Sequence, residues 1–210
     1  SGIMLIKYLC GAGYYSESLE YYNKINPEIA FNPSIQNEVV KSYMELNKPD
    51  SARIYLTARL LSERGDKIVL NCMMAETYIT EELEDSAFVF LDRAMKSYKE
   101  RAKNYQKKGK EPILPNCFLS PCYSFADLLW KKGKIQQASQ YYMIVEPLMK
   151  EMVKTPVRME LQIKALTNFS SFCRETKQYE KALDLLARRD SVLQTYLEFK
   201  VKNDKKNYAE

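Results

Sequence analysis

Residues 78–94, Tyr-Ile-Thr-Glu-Glu-Leu-Glu-Asp-Ser-Ala-Phe-Val-Phe-Leu-Asp-Arg-Ala, contain the pattern that decides the fold. Ala87 and Leu91 are four residues apart, so they lie on one face of a helix. Asp85 and Ser86 come directly before this pair, where an acidic or hydroxyl side chain favours the start of a helix. The stretch therefore predicts the end of one helix, a short turn and the beginning of a second helix.

The small residue Ala87 has counterparts along the whole chain. These anchors are Ser18, Ala52, Ala87, Ala138 and Ala182, separated by 34, 35, 51 and 44 residues. Four residues after each anchor comes a large side chain: Tyr22, Leu56, Leu91, Tyr142 and Leu186. Gly13 and Gly133 stand where a helix ends in a left-handed residue, and no Asn-Gly, Asp-Gly or Gly-Gly pair favours a β-hairpin. We expect an all-α fold of about five helical hairpins.

The hairpins are predicted to form one solenoid domain over residues 1–210. Its units cover about 3–31, 34–65, 67–108, 118–154 and 160–205. Residues 109–121 contain three prolines, which disfavour helix and predict a long surface loop between the third and fourth units. Helical composition runs from Asp85 to about Lys108 and from Tyr179 toward Lys202. These two helices are therefore expected to be longer than the second helix of an ordinary hairpin unit.

The hairpin pattern resembles the tetratricopeptide repeat (TPR). Residues 78–94 match it best, followed by 129–138 and 176–182. The large aromatic residue found early in the family's repeat is missing, and its expected positions hold Gln36, Asn71, Cys122 and Leu166. The resemblance implies a right-handed α-α superhelix, a TPR-like solenoid, that is a non-enzymatic module for binding a protein or peptide. Such a module is expected to be the sensing or interaction region of a signalling or transcription regulator, and the alternative is a cytosolic scaffold or adaptor.

A second, narrower resemblance bears on the cellular location of the protein. The Asp-Ser elbows at Asp50, Asp85 and Asp190, together with Tyr-rich helices, look like the TPR sensor regions of Bacteroidetes membrane-bound transcriptional regulators and histidine kinases. This implies the periplasmic portion of a membrane-anchored protein, with membrane contact only through segments outside these residues. Five cysteines without a disulfide pattern favour the cytoplasmic alternative. Cys117 and Cys122 are close enough in sequence to meet across a loop, and their oxidation state stays open.

The composition argues against an enzyme. The chain contains no histidine, which removes histidine-based triads, general bases and zinc sites. No nucleophile and base can be paired from the remaining residues, and Gly11-Ala-Gly13 lacks the rest of a phosphate-binding loop. We therefore expect no catalytic residues, no cofactor and no bound metal.

The inner surface of the predicted solenoid is lined by the first helix of each hairpin. Its candidate partner-binding residues are Lys41, Met73, Glu76, Tyr123, Asp127, Trp130, Asn168 and Arg174. Tyr123 and then Trp130 are expected to contribute most affinity, because large aromatic side chains dominate binding surfaces. Packing between hairpins is the alternative role of Trp130, and Asp127 and Arg174 have the alternative of pairing with each other or facing solvent.

A basic segment is the second candidate surface. It comprises Lys96, Lys99, Arg101, Lys103, Lys107, Lys108 and Lys110, while the net charge of the whole chain is only +5. Such a segment suits phosphate, an acidic protein or anionic lipid, but lysines at this spacing are also typical of a solvated helix. Tyr98 and Tyr105 interleave with the lysines and could stack on bases. Without any accompanying groove-reading motif, nucleic-acid binding is the less favoured interpretation.

Overall fold

The computed structural model describes residues 2–25, 32, 35–62, 65–150 and 155–207, with backbone only for 203–207. Within these ranges the chain forms α-helices and one 3₁₀-helix, at Asn116–Phe118, and contains no strand. The helices are α1 (Gly2–Gly11), α2 (Tyr15–Lys24), α3 (Gln36–Glu45), α4 (Pro49–Leu61), α5 (Lys67–Thr80), α6 (Glu84–Lys107), α7 (Leu119–Lys131), α8 (Ile135–Lys150), α9 (Pro156–Glu175) and α10 (Tyr179–Asn207). The all-α prediction is confirmed.

Consecutive helices pack as hairpins: α1 with α2, α3 with α4, α5 with α6, α7 with α8 and α9 with α10. The chain divides into two compact units, residues 1–117 with the first three hairpins and residues 118–210 with the last two. In the first unit each hairpin contacts the next one along the chain, and in the second unit α9 also contacts α7. The expected five hairpins are therefore present, and a single solenoid over the whole chain stays a prediction.

The five anchors are buried against the first helices of their own hairpins. Ser18, Ala52, Ala87, Ala138 and Ala182 are all 5% exposed or less. The Ser18 hydroxyl donates to the carbonyl oxygen of Ile6, 3.4 Å away on α1. A small residue here lets two helix backbones approach closely, which explains why the position stays small along the chain.

All five hairpin turns share one backbone geometry. The residue five positions before each anchor has a positive φ, and these are Gly13 (85°), Asn47 (54°), Glu82 (56°), Gly133 (74°) and Lys177 (61°). The N–H of the residue that follows donates, over 2.8–3.0 Å, to the carbonyl oxygen five residues earlier. This bond closes the last turn of the first helix as in a Schellman motif. The two glycines agree with the sequence-based expectation, and the three other residues adopt the same conformation without the freedom of glycine.

The connector between the two units is shorter than predicted. α7 begins at Leu119, so the last three residues of the expected 109–121 loop are helical. Pro121 is accommodated because the first turn of a helix has N–H groups without intrahelical partners. α6 ends at Lys107 and α10 continues past Lys202, which confirms that both are longer than the second helix of an ordinary hairpin unit.

Some predicted boundaries lie outside the described residues. The end of the first unit near 31, the start of the second at 34, its end near 65 and the end of the fourth unit at 154 all adjoin positions that are not described. Those limits remain predictions. Judged by length and hydropathy, none of the helices in the described part of the chain could cross a bilayer.

Candidate interaction surfaces

A polar cluster lies between the three helices α7, α8 and α9 of the second unit. The side-chain amide of Asn168 donates to the Tyr123 hydroxyl over 2.9 Å and to one oxygen of Asp127 over 2.5 Å. The Tyr142 hydroxyl donates to the other Asp127 oxygen. Both carboxylate oxygens are thus bonded, and the cluster locks the first helices of two successive hairpins together.

The two phenols of this cluster are held in their neutral form. Burial, followed by the charge of Asp127, raises the pKa of Tyr123 above its ordinary value. The same two causes, in the same order, raise the pKa of Tyr142. Both hydroxyls therefore keep their protons for hydrogen bonding at any ordinary pH.

The prediction that Tyr123 is the main contact residue for a partner is wrong. Its side chain is only 2% exposed, because α9 covers this face of α7. The prediction that Met73 contacts a partner is also wrong: it is 8% exposed and packs with Val40 and Leu56 of the preceding hairpin in the core of the first unit. Residues at inward positions of a first helix become core wherever a neighbouring hairpin packs on them.

Trp130 combines the two roles considered for it. Its ring meets Phe172 edge to face, with centroids 5.8 Å apart, which is packing between hairpins. The indole Nε1 donates to Glu175 over 3.0 Å, and the side chain stays partly exposed at the surface. Asp127 and Asn168 are also partly exposed, and Arg174 is exposed beside Glu175. Asp127 bonds to Tyr142 and Asn168, whereas Arg174 faces solvent.

The two remaining candidates, Lys41 and Glu76, lie in the first unit. Lys41 on α3 is exposed, and its ammonium group lies 5.8 Å from the ring centroid of Tyr15. Glu76 on α5 is partly buried. Lys41 and Glu76 thus lie at the surface, on the first helices of the second and third hairpins. Met73, the remaining candidate in the first unit, is buried.

All seven residues of the basic segment are exposed. Arg101 forms an ion pair with Asp66 over 2.8 Å, and Lys96 forms one with Asp92 over 2.7 Å. Burial raises the pKa of the Asp66 carboxyl, but Arg101 and the backbone N–H of Ile68 outweigh it and hold that pKa below its ordinary value. The other five basic side chains face solvent without an ion pair to any described residue.

A buried arginine in the first unit was missed by the sequence-based reasoning. Arg59 on α4 is 1% exposed, and its Nε lies 3.0 Å from the side-chain amide of Gln36, to which it donates when the amide oxygen is turned toward the guanidinium. The sequence did contain a signal, because Ala52, Leu56 and Arg59 follow one another at spacings of four and three residues. That spacing places Arg59 on the buried face of α4.

All five cysteines are free thiols, so Cys117 and Cys122 do not form a disulfide. Cys117 instead hydrogen-bonds with Cys72 of α5. This bond lowers the pKa of the Cys117 thiol, against the opposing effect of burial. In the described residues, no group of three or more acidic or cysteine side chains could hold a metal ion.

Known structures share this arrangement of hairpins. A variant of a kinesin-light-chain-like protein from Podosopora anserina, built of nearly identical TPR-like repeats, superposes with a TM-score of 0.57 at 13% identity, covering 94% of this chain and 95% of that one. A second structure described in the same terms gives 0.55 at 13% identity, covering 93% and 94%. This chain has a TPR-like fold.

A third TPR-like neighbour is MamA of MSR-1, with a TM-score of 0.52 at 15% identity, covering 92% of this chain and 93% of that one. No protein-family model and no curated protein matches the sequence. At these identities the neighbours show the fold alone. TPR-like hairpins support an interaction module in general terms, while the partner has to be argued from the surfaces of this chain.

Proposed function

We propose that this chain is a non-enzymatic protein-binding module whose main contact surface is the row of exposed and partly exposed side chains on α7 and α9. The observation that carries the proposal is Trp130, which is held at the surface by Glu175 and Phe172. A large aromatic side chain that is already fixed in place loses little conformational freedom on binding. Asp127, Asn168 and Arg174 lie nearby and supply polar selectivity for a protein or peptide segment.

A peptide library of random sequence, displayed and selected against the whole chain, tests this proposal. The selected peptide is titrated against the wild type, Trp130→Ala and Trp130→Phe. The alanine variant should weaken binding about tenfold or more, the scale of an aromatic contact at the centre of an interface. Trp130→Phe keeps the packing on Phe172 and separates loss of contact from loss of fold. Equal affinity in all three proteins contradicts the proposal.

The basic segment is the second candidate, favoured by its five solvent-facing cations without ion pairs to described residues. The variant Lys103→Ala, Lys107→Ala, Lys108→Ala is titrated in parallel with the Trp130 variants. If only this variant loses binding, and if affinity also falls steeply with added salt, the segment is the contact surface and its ligand is anionic. A duplex DNA and a single-stranded RNA serve as further probes, and we expect no tight binding to either.

We infer a finer role from the narrower resemblance: the chain is the sensing region of a membrane-anchored signalling or transcription regulator, located in the periplasm. The resemblance of the Asp-Ser elbows and Tyr-rich helices supports this role, and the free cysteines support the cytoplasmic scaffold that is the alternative. Fractionation of cells producing the full-length gene product with a tag decides between them. The sensor requires the tag in the membrane fraction and this region accessible to protease from the periplasm, whereas a cytosolic scaffold stays protected.

A further inference from the structure

The last two hairpins of the chain are equivalent at an offset of 44 residues, the interval between Ala138 and Ala182. Under this offset the α7–α8 residues that contact α9 correspond to residues of α9 and α10: Tyr123 to Thr167, Asp127 to Ser171, Trp130 to Arg174 and Tyr142 to Leu186. These four counterparts line a groove of about 400 Å³ between α9 and α10, together with Tyr179 and Leu183. The groove therefore stands where a covering helix would pack on this hairpin.

α9 shows what such a covering helix presents to the preceding hairpin. Asn168 meets Tyr123 and Asp127. One residue later Phe169 stacks on Tyr142, with centroids 4.6 Å apart. Four residues after Asn168, Phe172 packs against Tyr142 and Trp130, and seven residues after it Glu175 accepts from the indole of Trp130. The template is an amide, two apolar side chains at the first and fourth positions after it, and a carboxylate at the seventh.

The side chains of the groove fit the same template. Thr167 and Ser171 donate their hydroxyl protons to backbone carbonyls of α9, so the oxygen lone pairs can accept from an incoming amide. Arg174 stands where Trp130 stands in the covered hairpin, and both side chains present N–H donors. Arg174 forms no ion pair with any described residue, whereas Arg189 is already paired with Asp190 over 2.6 Å. The unpaired guanidinium calls for a carboxylate at the seventh position.

An apolar row extends the groove along α10. Leu183 is 67% exposed and Leu197 is 51% exposed, and Leu193 and Val201 lie on the same face. At 1.5 Å per residue, the row from Tyr179 to Val201 is about 33 Å long. Such length suits a continuous helix rather than a short extended peptide.

We propose that this groove binds an amphipathic helix of a partner protein, with an amide or hydroxyl residue, apolar residues one and four positions later, and Asp or Glu seven positions later. A second copy of this chain fits poorly. With Asn, Gln, Ser or Thr at its first position, the pattern occurs at Asn168–Glu175 alone in the 210 residues, and that segment is already packed against α7. α1 exposes Met4, Leu5 and Tyr8, but its only charged residue is Lys7, which would face Arg174 with the same sign.

A synthetic peptide with the sequence of residues 156–175, labelled with a fluorophore, is the probe. The whole chain should bind it, and Arg174→Glu and Leu183→Glu should each weaken binding about tenfold or more. A peptide carrying lysine in place of the residue equivalent to Glu175 should bind the wild type weakly and should restore binding to Arg174→Glu. Arg158 lies on the opposite side of α9 from Thr167. Arg158→Glu is therefore the matched charge-reversal control, and this variant should bind the peptide as the wild type does.

Arg174, Leu183 and Arg158 are all exposed, so the variants should fold, and their melting temperatures check this. If the affinity for the peptide is unchanged in both Arg174→Glu and Leu183→Glu, the assignment of the groove is overturned. A complete absence of binding overturns it as well. Self-association of the wild type that Leu183→Glu abolishes overturns the partner helix in favour of a second copy. The library-selected peptide that tests the proposed function is titrated separately from this probe, so either proposal can fail while the other stands.

Discussion

The two hairpins of the second unit share one framework, but an equivalent face is covered in one of them and open in the other. On α7–α8 the positions that face the next helix are Tyr123, Asp127, Trp130 and Tyr142, and α9 covers them with amide, aromatic and carboxylate contacts. On α9–α10 the equivalent positions are Thr167, Ser171, Arg174 and Leu186, which line an open groove. A residue in this fold therefore belongs to the core or to the surface depending on whether a neighbouring hairpin covers it.

The largest expected effect is the loss of an aromatic side chain from the covered face. Phe169→Ala should lower the free energy of unfolding by about 3–5 kcal/mol, because it removes the ring stacked on Tyr142 and leaves a cavity. Leu183→Ala, on the open face, should change it by less than about 0.5 kcal/mol. Urea titration of both variants makes the comparison, and similar losses in the two proteins would show that the α9–α10 face is covered as well.

The polar cluster should give a smaller difference. Tyr142→Phe keeps the stacked ring but deprives an Asp127 oxygen of its donor, and we expect a loss of about 1–3 kcal/mol. Tyr179→Phe, at an exposed position of the open face, serves as the control and should have no measurable effect. A neutral outcome for Tyr142→Phe would mean that solvent replaces the hydroxyl, and the cluster would not lock the two hairpins together.

The turns of the two hairpins should respond in opposite directions. Gly133 and Lys177 both have a positive φ, which costs about 1–2 kcal/mol for a residue with a side chain. Gly133→Ala should therefore destabilise by about 1 kcal/mol, since an added Cβ would meet nothing within 4 Å and only the backbone is strained. Lys177→Gly should stabilise the protein by about 0.5–1 kcal/mol, because the relief of backbone strain outweighs the added conformational entropy of the unfolded chain. Thermal melts of both variants measure the signs, and a shift in the same direction would contradict a shared turn geometry.

Local patterns account for how much of the fold could be predicted. Each anchor and its large partner lie only four residues apart, so the amino-acid sequence alone is enough to place five hairpins. The left-handed turns at Glu82 and Lys177 could not be predicted, because the hydrogen bonds of the turn, and not the residue type, impose a positive φ there, whereas Asn47 is of a type that adopts a positive φ more readily. Arg59 was within reach, because its spacing from Leu56 already placed it on the buried face.

The candidate site was predicted less well, and Tyr123 shows the physical reason. Counting positions along α7 selected Tyr123 as one of the inward-facing residues of that helix. Whether that face is accessible depends on α9, which begins more than thirty residues later in the chain. Trp130 stays partly exposed because it lies at the end of the covered face, next to the turn of the following hairpin, and Arg174 is exposed because it lies on the open face of α9–α10. The pairing of Trp130 with Glu175 could not be derived from spacing.

Hydroxyl-radical footprinting of the whole chain, read by mass spectrometry, measures directly which faces of the second unit are covered. We expect slow oxidation of Tyr123, Tyr142 and Phe169, which α9 and its contacts shield, and fast oxidation of Tyr179 and Leu183 on the open face. Comparable rates for the two sets, after correction for the intrinsic reactivity of each residue type, would contradict it. Such a result would mean either that α9 does not cover α7–α8 or that the α9–α10 groove is already occupied.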